Sequence, residues 1–598
     1  MPWVRLDYDP TRLEAVLSAS RDLSPTAWAE VRRTLEERGQ GVRTRPEGAV
    51  SMPWWSFLGV RRDIGYLRRK HAQAYGAIWE FTEAARRHLE RAATSEQRYS
   101  GSTVAEKLHA DAIEDTLVRR GFTRRLMPYQ LSNVERLCNL PAAAAFSVPG
   151  AGKTTEALAV FALLRTHESR LVIVAPKNAF AVWEEQIGIC FAGQRFAISR
   201  LTGGRSAITL ALNDAPDVVI VGYQQLPRVG DLLAEYMAAR PCFMFLDESH
   251  RMKAGRDGVS GAAILALSHL PTYKLVMSGT PMPNTAQDLV AQFNFLYPQV
   301  PADEGSVISR LGPIYTRTTK DQLGLAPPLR VRHKVELTPN QFRLYRALAD
   351  DAARHLERLT VGDRLTFRAF ARCVVHMIQA ASDPALLAEG TVGGHPMLAA
   401  ALAEPSQKPA AACDIARRLA KDGRKCVIWS FFPQTVEFIA GCLADLGAEF
   451  IHGGVDTSPD DTVTDSREAK LRRFHDDPGC YALIANPAAC AESISLHTVC
   501  HDAIYVDRTY NAGQYLQSED RIHRLGLPPT CRTTITVLQA EGTIDISVGR
   551  RLQAKVAAMQ QVLNDAALSI RPFDLDDESI DGIDEADIAD LRRLLLGS

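Results

Sequence analysis

From residue 141 onward, short apolar runs alternate with helix-length amphipathic segments. The runs cover 142–148, 171–175, 217–221, 242–246 and 274–277. They lack the polar–apolar alternation of a half-exposed strand, as expected of parallel strands buried on both faces and joined by helical crossovers. A second series at 425–430, 449–451, 481–485, 503–506 and 532–537 repeats the pattern. Between the two lie a stretch rich in helix formers, 338–381, and a Gly/Pro-containing segment, 388–409, that reads as a linker. Residues 1–125 interleave charged and apolar positions and read as mainly helical, with few strand-like runs. The pattern predicts an α/β chain in five parts: a helical N-terminal accessory region (1–125), a first parallel-sheet lobe (126–300), a helical insertion and inter-lobe linker (301–408), a second parallel-sheet lobe (409–565) and an acidic tail (566–598).

Composition narrows the class. A chain of 598 residues exceeds one ordinary core. At 46% hydrophobic and 23% charged, it is neither disordered, collagen-like nor a small disulfide scaffold. The formal charge of −1, from 69 bases and 70 acids, argues against a polycationic coat but leaves local basic patches open. The 11 cysteines are scattered without a C-x-x-C pair, so neither a zinc ribbon nor a redox motif is indicated. With no basic-then-apolar leader and no membrane-length apolar run, reduced thiols, a cytoplasmic location and no membrane partner are expected. Two charge features stand out. Trp54 and Trp55 precede a basic run containing Arg61, Arg62, Arg68, Arg69 and Lys70, read either as an accessory DNA-binding face or as a solvated face over a tryptophan core. The nine acids of 574–590 are either a solvated end or a protein-binding tail.

The first run ends in Ser147-Val148-Pro149-Gly150-Ala151-Gly152-Lys153-Thr154-Thr155, followed by a helix-forming stretch. Gly150 and Gly152 let the backbone wrap a phosphate with its N–H groups inward and a helix N-terminus behind them. In such a loop Lys153 bridges the β- and γ-phosphates of ATP, and the Thr154 hydroxyl ligates Mg²⁺, with Thr155 beside it. The run at 242–246 ends in Asp247-Glu248-Ser249-His250. A carboxylate at that strand end suits the metal, which assigns Asp247, and the second acid, Glu248, suits the base that orients the attacking water. The next run ends in Ser278-Gly279-Thr280, whose hydroxyls could sense the γ-phosphate and couple its loss to motion.

Together these segments resemble the superfamily-two helicase core, and more closely its Swi/Snf branch of DNA translocases, over roughly 126–555. The resemblance implies two RecA-like lobes. It also implies an adenine contact at Gln130 within Leu126-Met127-Pro128-Tyr129-Gln130, and a first DNA-strand motif in Val172-Ile173-Val174-Ala175-Pro176 followed by Trp183-Glu184. Tyr315-Thr316-Arg317-Thr318-Thr319-Lys320 and Leu337-Thr338-Pro339-Asn340-Gln341 are similar to the family's lobe-joining region, and Lys408 with 425–430 to the start of its second lobe.

Gln517-Ser518-Glu519-Asp520-Arg521-Ile522-His523-Arg524-Leu525-Gly526 carries the second lobe's signature. A helical reading sends Arg521 and Arg524 from one face, to reach the γ-phosphate when the lobes close, with Gln517 in coupling. Leu527 stands where the family usually has glutamine, and Ala491-Glu492-Ser493-Ile494-Ser495-Leu496 carries serines where it is glycine-rich. The implied activity is ATP-driven movement along the backbone of double-stranded DNA, with Lys177, Asn178 and Arg317 as contacts. The setting leans towards bacterial genome defence, restriction or repair. A strand-separating DNA or RNA helicase, and a nucleotide-gated scaffold with weak hydrolysis suggested by the serines around Ser493, are the alternatives.

Overall fold

In a computed structural model of the chain, the described residues are all except 102–107, 253–254, 256–257, 283–285, 358–363, 390–391, 456–465, 488–495, 528–530, 564–584 and 597–598. The chain opens with a five-stranded sheet: β1 (Trp3–Asp9), β2 (Glu14–Ala19), β3 (Arg43–Thr44), β4 (Val50–Pro53) and β5 (Ile78–Phe81), in the order β3-β4-β2-β1-β5. This corrects the mainly helical reading of 1–125, although helices Pro25–Arg38, Trp54–Tyr75, Glu83–Tyr99 and Ala110–Arg119 are also present. Val4, Leu6 and Tyr8 of β1 are buried while Arg5 and Asp7 are exposed, the period-two pattern of a strand with one face covered. The helix Trp54–Tyr75 buries Trp54, Trp55, Phe57, Ile64 and Leu67 in this region's core. Its bases meet acids: Arg61 and Arg62 pair with Glu96, and Lys70 pairs with Glu30. The tryptophans are core, and three of the five bases are neutralised locally.

The first apolar series forms an all-parallel seven-stranded sheet of β6 (Ala142–Ala145), β7 (Arg170–Val174), β8 (Ile198–Leu201), β9 (Val218–Val221), β10 (Cys242–Asp247), β11 (Tyr273–Met277) and β12 (Tyr315–Thr316). Its order is β12-β6-β11-β10-β7-β9-β8, with β10 central. Every residue of β6, β7, β9 and β11 is buried, the burial expected where helices cover both faces. The second series forms a parallel sheet of β13 (Leu329–Val335), β14 (Cys426–Trp429), β15 (Glu449–Ile451), β16 (Ala482–Ala485), β17 (Asp502–Tyr505) and β18 (Thr534–Ala540), ordered β13-β18-β17-β14-β16-β15.

The residues fall into two units, Met1–Val148 with Gly152–Thr318, and Pro149–Ala151 with Thr319–Ser598. The expected boundary at residue 300 therefore moves. β12 pairs with β6 of the first sheet, and β13 pairs with β18 of the second, so the stretch taken as insertion and linker contributes a strand to each. The tail also differs where it is described. Helix Glu585–Leu596 is docked through Asp587 and Asp590, which accept from Lys555 Nζ at 2.8 Å and Arg550 Nη1 at 2.9 Å. The rest of the acidic stretch lies outside the described residues.

Candidate nucleotide site

The site begins with strand register. Ala145 of β6, Met277 of β11 and Asp247 of β10 are successive partners across the sheet. The segments that follow these strands therefore share one end of it: 147–155, Ser278 with Thr280, and Asp247 with Glu248. Loops leaving the carboxyl ends of central parallel strands are where such folds build ligand sites.

The loop after β6 is braced by its neighbour. Phe146 N–H donates to Thr316 O at 2.9 Å, Val148 N–H to Thr318 O at 3.1 Å, and Thr318 N–H to Ser147 Oγ at 2.9 Å. Gly150 and Gly152 lie at φ +86° and +84°, a region that favours glycine. A Cβ on Gly152 would come within 2.3 Å of Gln130 Nε2, so a larger residue there would displace the end of that side chain as well as strain the backbone. Gln130 is buried and placed by its Oε1, which accepts from Met127 N–H at 3.0 Å. Helix Lys153–Leu164 starts at the loop's end, and Lys153 Nζ donates to Ser147 O at 2.8 Å. Thr154 is half-buried and Thr155 buried.

Asp247 closes β10. Its Oδ2 accepts from the buried Trp183 indole N–H at 2.9 Å and its Oδ1 from Glu248 N–H at 3.0 Å. Burial, then repulsion from Glu248, raise its carboxyl to about 6. Glu248 adopts φ +50°, a strained conformation for a non-glycine residue and one found disproportionately at functional sites. Its Oε2 lies 3.4 Å from His250 Nδ1, which lies 3.0 Å from Ser278 Oγ, which accepts from Thr280 N–H at 3.1 Å. His250 thus stands between Glu248 and the Ser278 hydroxyl, a link sequence reasoning did not draw. It also missed Trp183 as Asp247's anchor, and Glu156, whose buried Oε1 accepts from Asn133 Nδ2 at 2.8 Å while burial raises its carboxyl to about 8. The Mg²⁺ ligands expected, Thr154 and Asp247, fit: both are hard oxygen donors, and a cation would offset the burial and the Glu248 repulsion that raise the Asp247 carboxyl.

The remaining expectations are placed differently. Lys177 is exposed and Asn178 half-buried on a 3-10 turn beyond β7. Arg317, expected to face DNA, donates through Nη1 to Phe146 O at the root of the phosphate loop. Arg521 and Arg524 do not share a helix: helix Ala512–Glu519 ends first, and turns follow. At its end Glu519 takes both Arg330 Nη atoms at 3.0 and 2.8 Å, and Asp520 pairs with Lys320. Arg521 Nε donates to the carbonyl of Gln517 at 3.2 Å. Burial lowers the guanidinium of Arg524 below its ordinary value. Residues 491–495, with Ser493, lie outside the described residues.

Residues 146–306 match the family model of the SNF2-related domain. A "Probable chromatin-remodeling complex ATPase chain" of Oryza sativa subsp. japonica is 22% identical over 459 residues, 70% of this chain and 39% of the relative. An "Uncharacterized ATP-dependent helicase" of Mycoplasma pneumoniae is 21% identical over 405 residues, 64% of this chain and 36% of its own. The chain thus spans well under half the length of these curated relatives. A solved Sulfolobus solfataricus SWI2/SNF2 ATPase core in complex with dsDNA aligns over 75% of this chain and 95% of its own, at 18% identity and a TM-score of 0.31. The stretch matched by the family model, residues 146–306, holds the loop 147–155, the acid pair Asp247–Glu248 and the hydroxyls of Ser278 and Thr280.

Proposed function

We propose that the chain is a DNA-dependent ATPase that moves along double-stranded DNA. The observation that carries this reading is the register row Ala145–Met277–Asp247, which brings phosphate loop, sensor hydroxyls and acid pair to one sheet end. In this reading the N–H groups around Gly150 and Gly152 cradle the ATP phosphates, and Lys153 leaves the Ser147 carbonyl to meet the β- and γ-phosphates. Glu248 orients the attacking water, and Trp183 holds Asp247 in place. Thr154 and Asp247 would hold Mg²⁺, which would supply charge neutralisation at the transferring phosphoryl group. Arg521 and Arg524 supply positive charge to the γ-phosphate, and loss of that phosphate is read at Ser278 and Thr280 and passed through His250. Gln517 couples this to motion, and Gln130 reads the adenine.

Double-stranded DNA as the track draws support from the SNF2-related match. Lys177 and Asn178 are the contacts carried forward. A role in bacterial genome defence or repair, and a protein partner at the N-terminal sheet or the acidic tail, belong to the same proposal. The test is steady-state ATP hydrolysis alone and with duplex DNA, single-stranded DNA or RNA. Stimulation by duplex DNA that collapses at raised salt is expected, because backbone contact releases counterions. Stimulation mainly by single strands or RNA would replace the translocase with a strand-separating helicase.

A further inference from the structure

Two helices of the second unit, Pro339–Glu357 and Arg364–Ser382, pack side by side, outside the segments assigned to nucleotide chemistry. Each carries a pair of metal-ligating side chains at helical spacing. Asp351 and His355 are four apart on the first helix, and Cys373 and His376 are three apart on the second, so each pair shares a helix face. The two faces meet. The ligand atoms of Asp351, His355 and Cys373 all lie within 4.8 Å of one another. These residues and His376 line a cavity of about 540 Å³, into which His395 also faces from outside both helices.

We propose that this cavity is a transition-metal site, with Zn²⁺ as its ion, held by Asp351, His355 and Cys373 and completed by His376 or His395. The donor set is the argument. One thiolate, one or two imidazoles and one carboxylate in tetrahedral array suit zinc, whereas Mg²⁺ and Ca²⁺ take oxygen donors. At zinc bond lengths of about 2.0–2.3 Å, tetrahedral ligand atoms sit roughly 3.5 Å apart. Closing from the present separations takes side-chain adjustment of about an ångström rather than backbone movement. The carboxylate is already divided between two tasks. Asp351 Oδ1 accepts from Arg354 Nη2 at 3.0 Å, and Oδ2 faces Cys373 Sγ at 3.9 Å. An outer-shell arginine that fixes one oxygen leaves the other aimed at the metal. His395 is similarly oriented, its Nδ1 accepting from Met397 N–H at 3.3 Å, which leaves Nε2 as the ligand nitrogen. Binding breaks the Cys373 S–H bond, forms a Zn–S bond and releases the proton to solvent.

The experiment uses the full chain without nucleotide or DNA. After chelation and dialysis, Zn²⁺ alone is titrated by competition with a chromophoric chelator, and Co²⁺ is added separately for its absorption spectrum. One zinc per chain is expected, and the cobalt form should show a thiolate-to-metal charge-transfer band with intense tetrahedral d–d bands. Cys373→Ser should abolish that band, and His355→Ala and Asp351→Asn should each weaken zinc binding at least tenfold. Cys442→Ser, at an exposed thiol elsewhere in the unit, should change nothing. A loss with His376→Ala or with His395→Ala identifies the fourth ligand; a loss with neither assigns it to water and leaves the three-residue site standing. If Cys373→Ser does not fold, the wild-type cobalt spectrum and the His355→Ala titration decide. Absence of stoichiometric zinc, a cobalt spectrum without the thiolate band, or a band that survives Cys373→Ser overturns the proposal.

Discussion

Asp247 and Asp507 occupy similar addresses. One ends β10 and the other stands two residues beyond β17, each at the carboxyl edge of a strand inside a parallel sheet. Asp507 is sealed: its Oδ2 accepts from Ser430 Oγ at 2.6 Å and Ser382 Oγ at 3.1 Å, its Oδ1 accepts from Phe431 N–H at 2.8 Å, and it is 1% exposed. Asp247 has one donor on each oxygen and a second carboxylate beside it, and it is less completely covered than Asp507. The same architecture thus yields a fully satisfied aspartate in one sheet and, in the other, one with a single donor on each oxygen beside a second carboxylate. What separates them is how completely the neighbouring side chains satisfy the carboxylate.

The largest expected effect tests whether the second sheet contributes to chemistry despite its sealed aspartate. Arg521→Gln or Arg524→Gln should lower ATP turnover by about 10³–10⁵-fold if these arginines act on the γ-phosphate. A change within a few-fold in steady-state hydrolysis would confine the chemistry to the first lobe. Next, Glu248→Gln should lower turnover about 10²–10⁴-fold while leaving nucleotide binding intact, measured by a fluorescent ATP analogue.

The direct contrast comes from the aspartates themselves. Asp247→Asn should abolish Mg²⁺-dependent hydrolysis without lowering the unfolding midpoint. Asp507→Asn should instead destabilise the second unit by about 1–3 kcal/mol in urea, because an amide cannot accept from all three donors. The reverse outcome would undo the comparison.

A subtler test concerns Glu156, the buried acid behind the phosphate loop. Its folded pKa is raised to about 8 from 4.5, so its stabilisation is complete below the unfolded value and is lost as pH rises through about 8. Between pH 6 and 8 the wild type should lose on the order of 2 kcal/mol relative to Glu156→Gln in parallel unfolding curves. Parallel curves would show that the carboxyl is ionised in the fold. The smallest effect is Trp183→Phe, which removes one hydrogen bond to Asp247 and should raise the half-saturating Mg²⁺ concentration by roughly tenfold.

Much of this was legible in order. Ten strands of the two parallel sheets coincide with the ten apolar runs, because a strand buried on both faces must be apolar at nearly every position. The three strands of those sheets without such a run, β8, β12 and β13, lie at sheet edges: β8 and β13 are largely exposed or half-buried, and β12 is only two residues long. The N-terminal sheet was missed for a related reason. β1 alternates, β3 is two exposed residues and β4 only four, and they sit among stronger helical signals.

The phosphate loop and the acid pair were also set by the chain itself, since glycine backbone freedom and adjacent carboxylates are local properties. What only the tertiary structure decided was partnership. Trp183 and Asp247 are 64 residues apart in sequence, Asn133 and Glu156 are 23 apart, and Arg317 meets Phe146 across 171. Asp351 and Cys373 come together across 22 residues, from separate helices. Hydrogen bonding and ligand geometry act over about three ångströms in space. A one-dimensional pattern names the chemical groups, and the packing of sheets and helices chooses which of them meet.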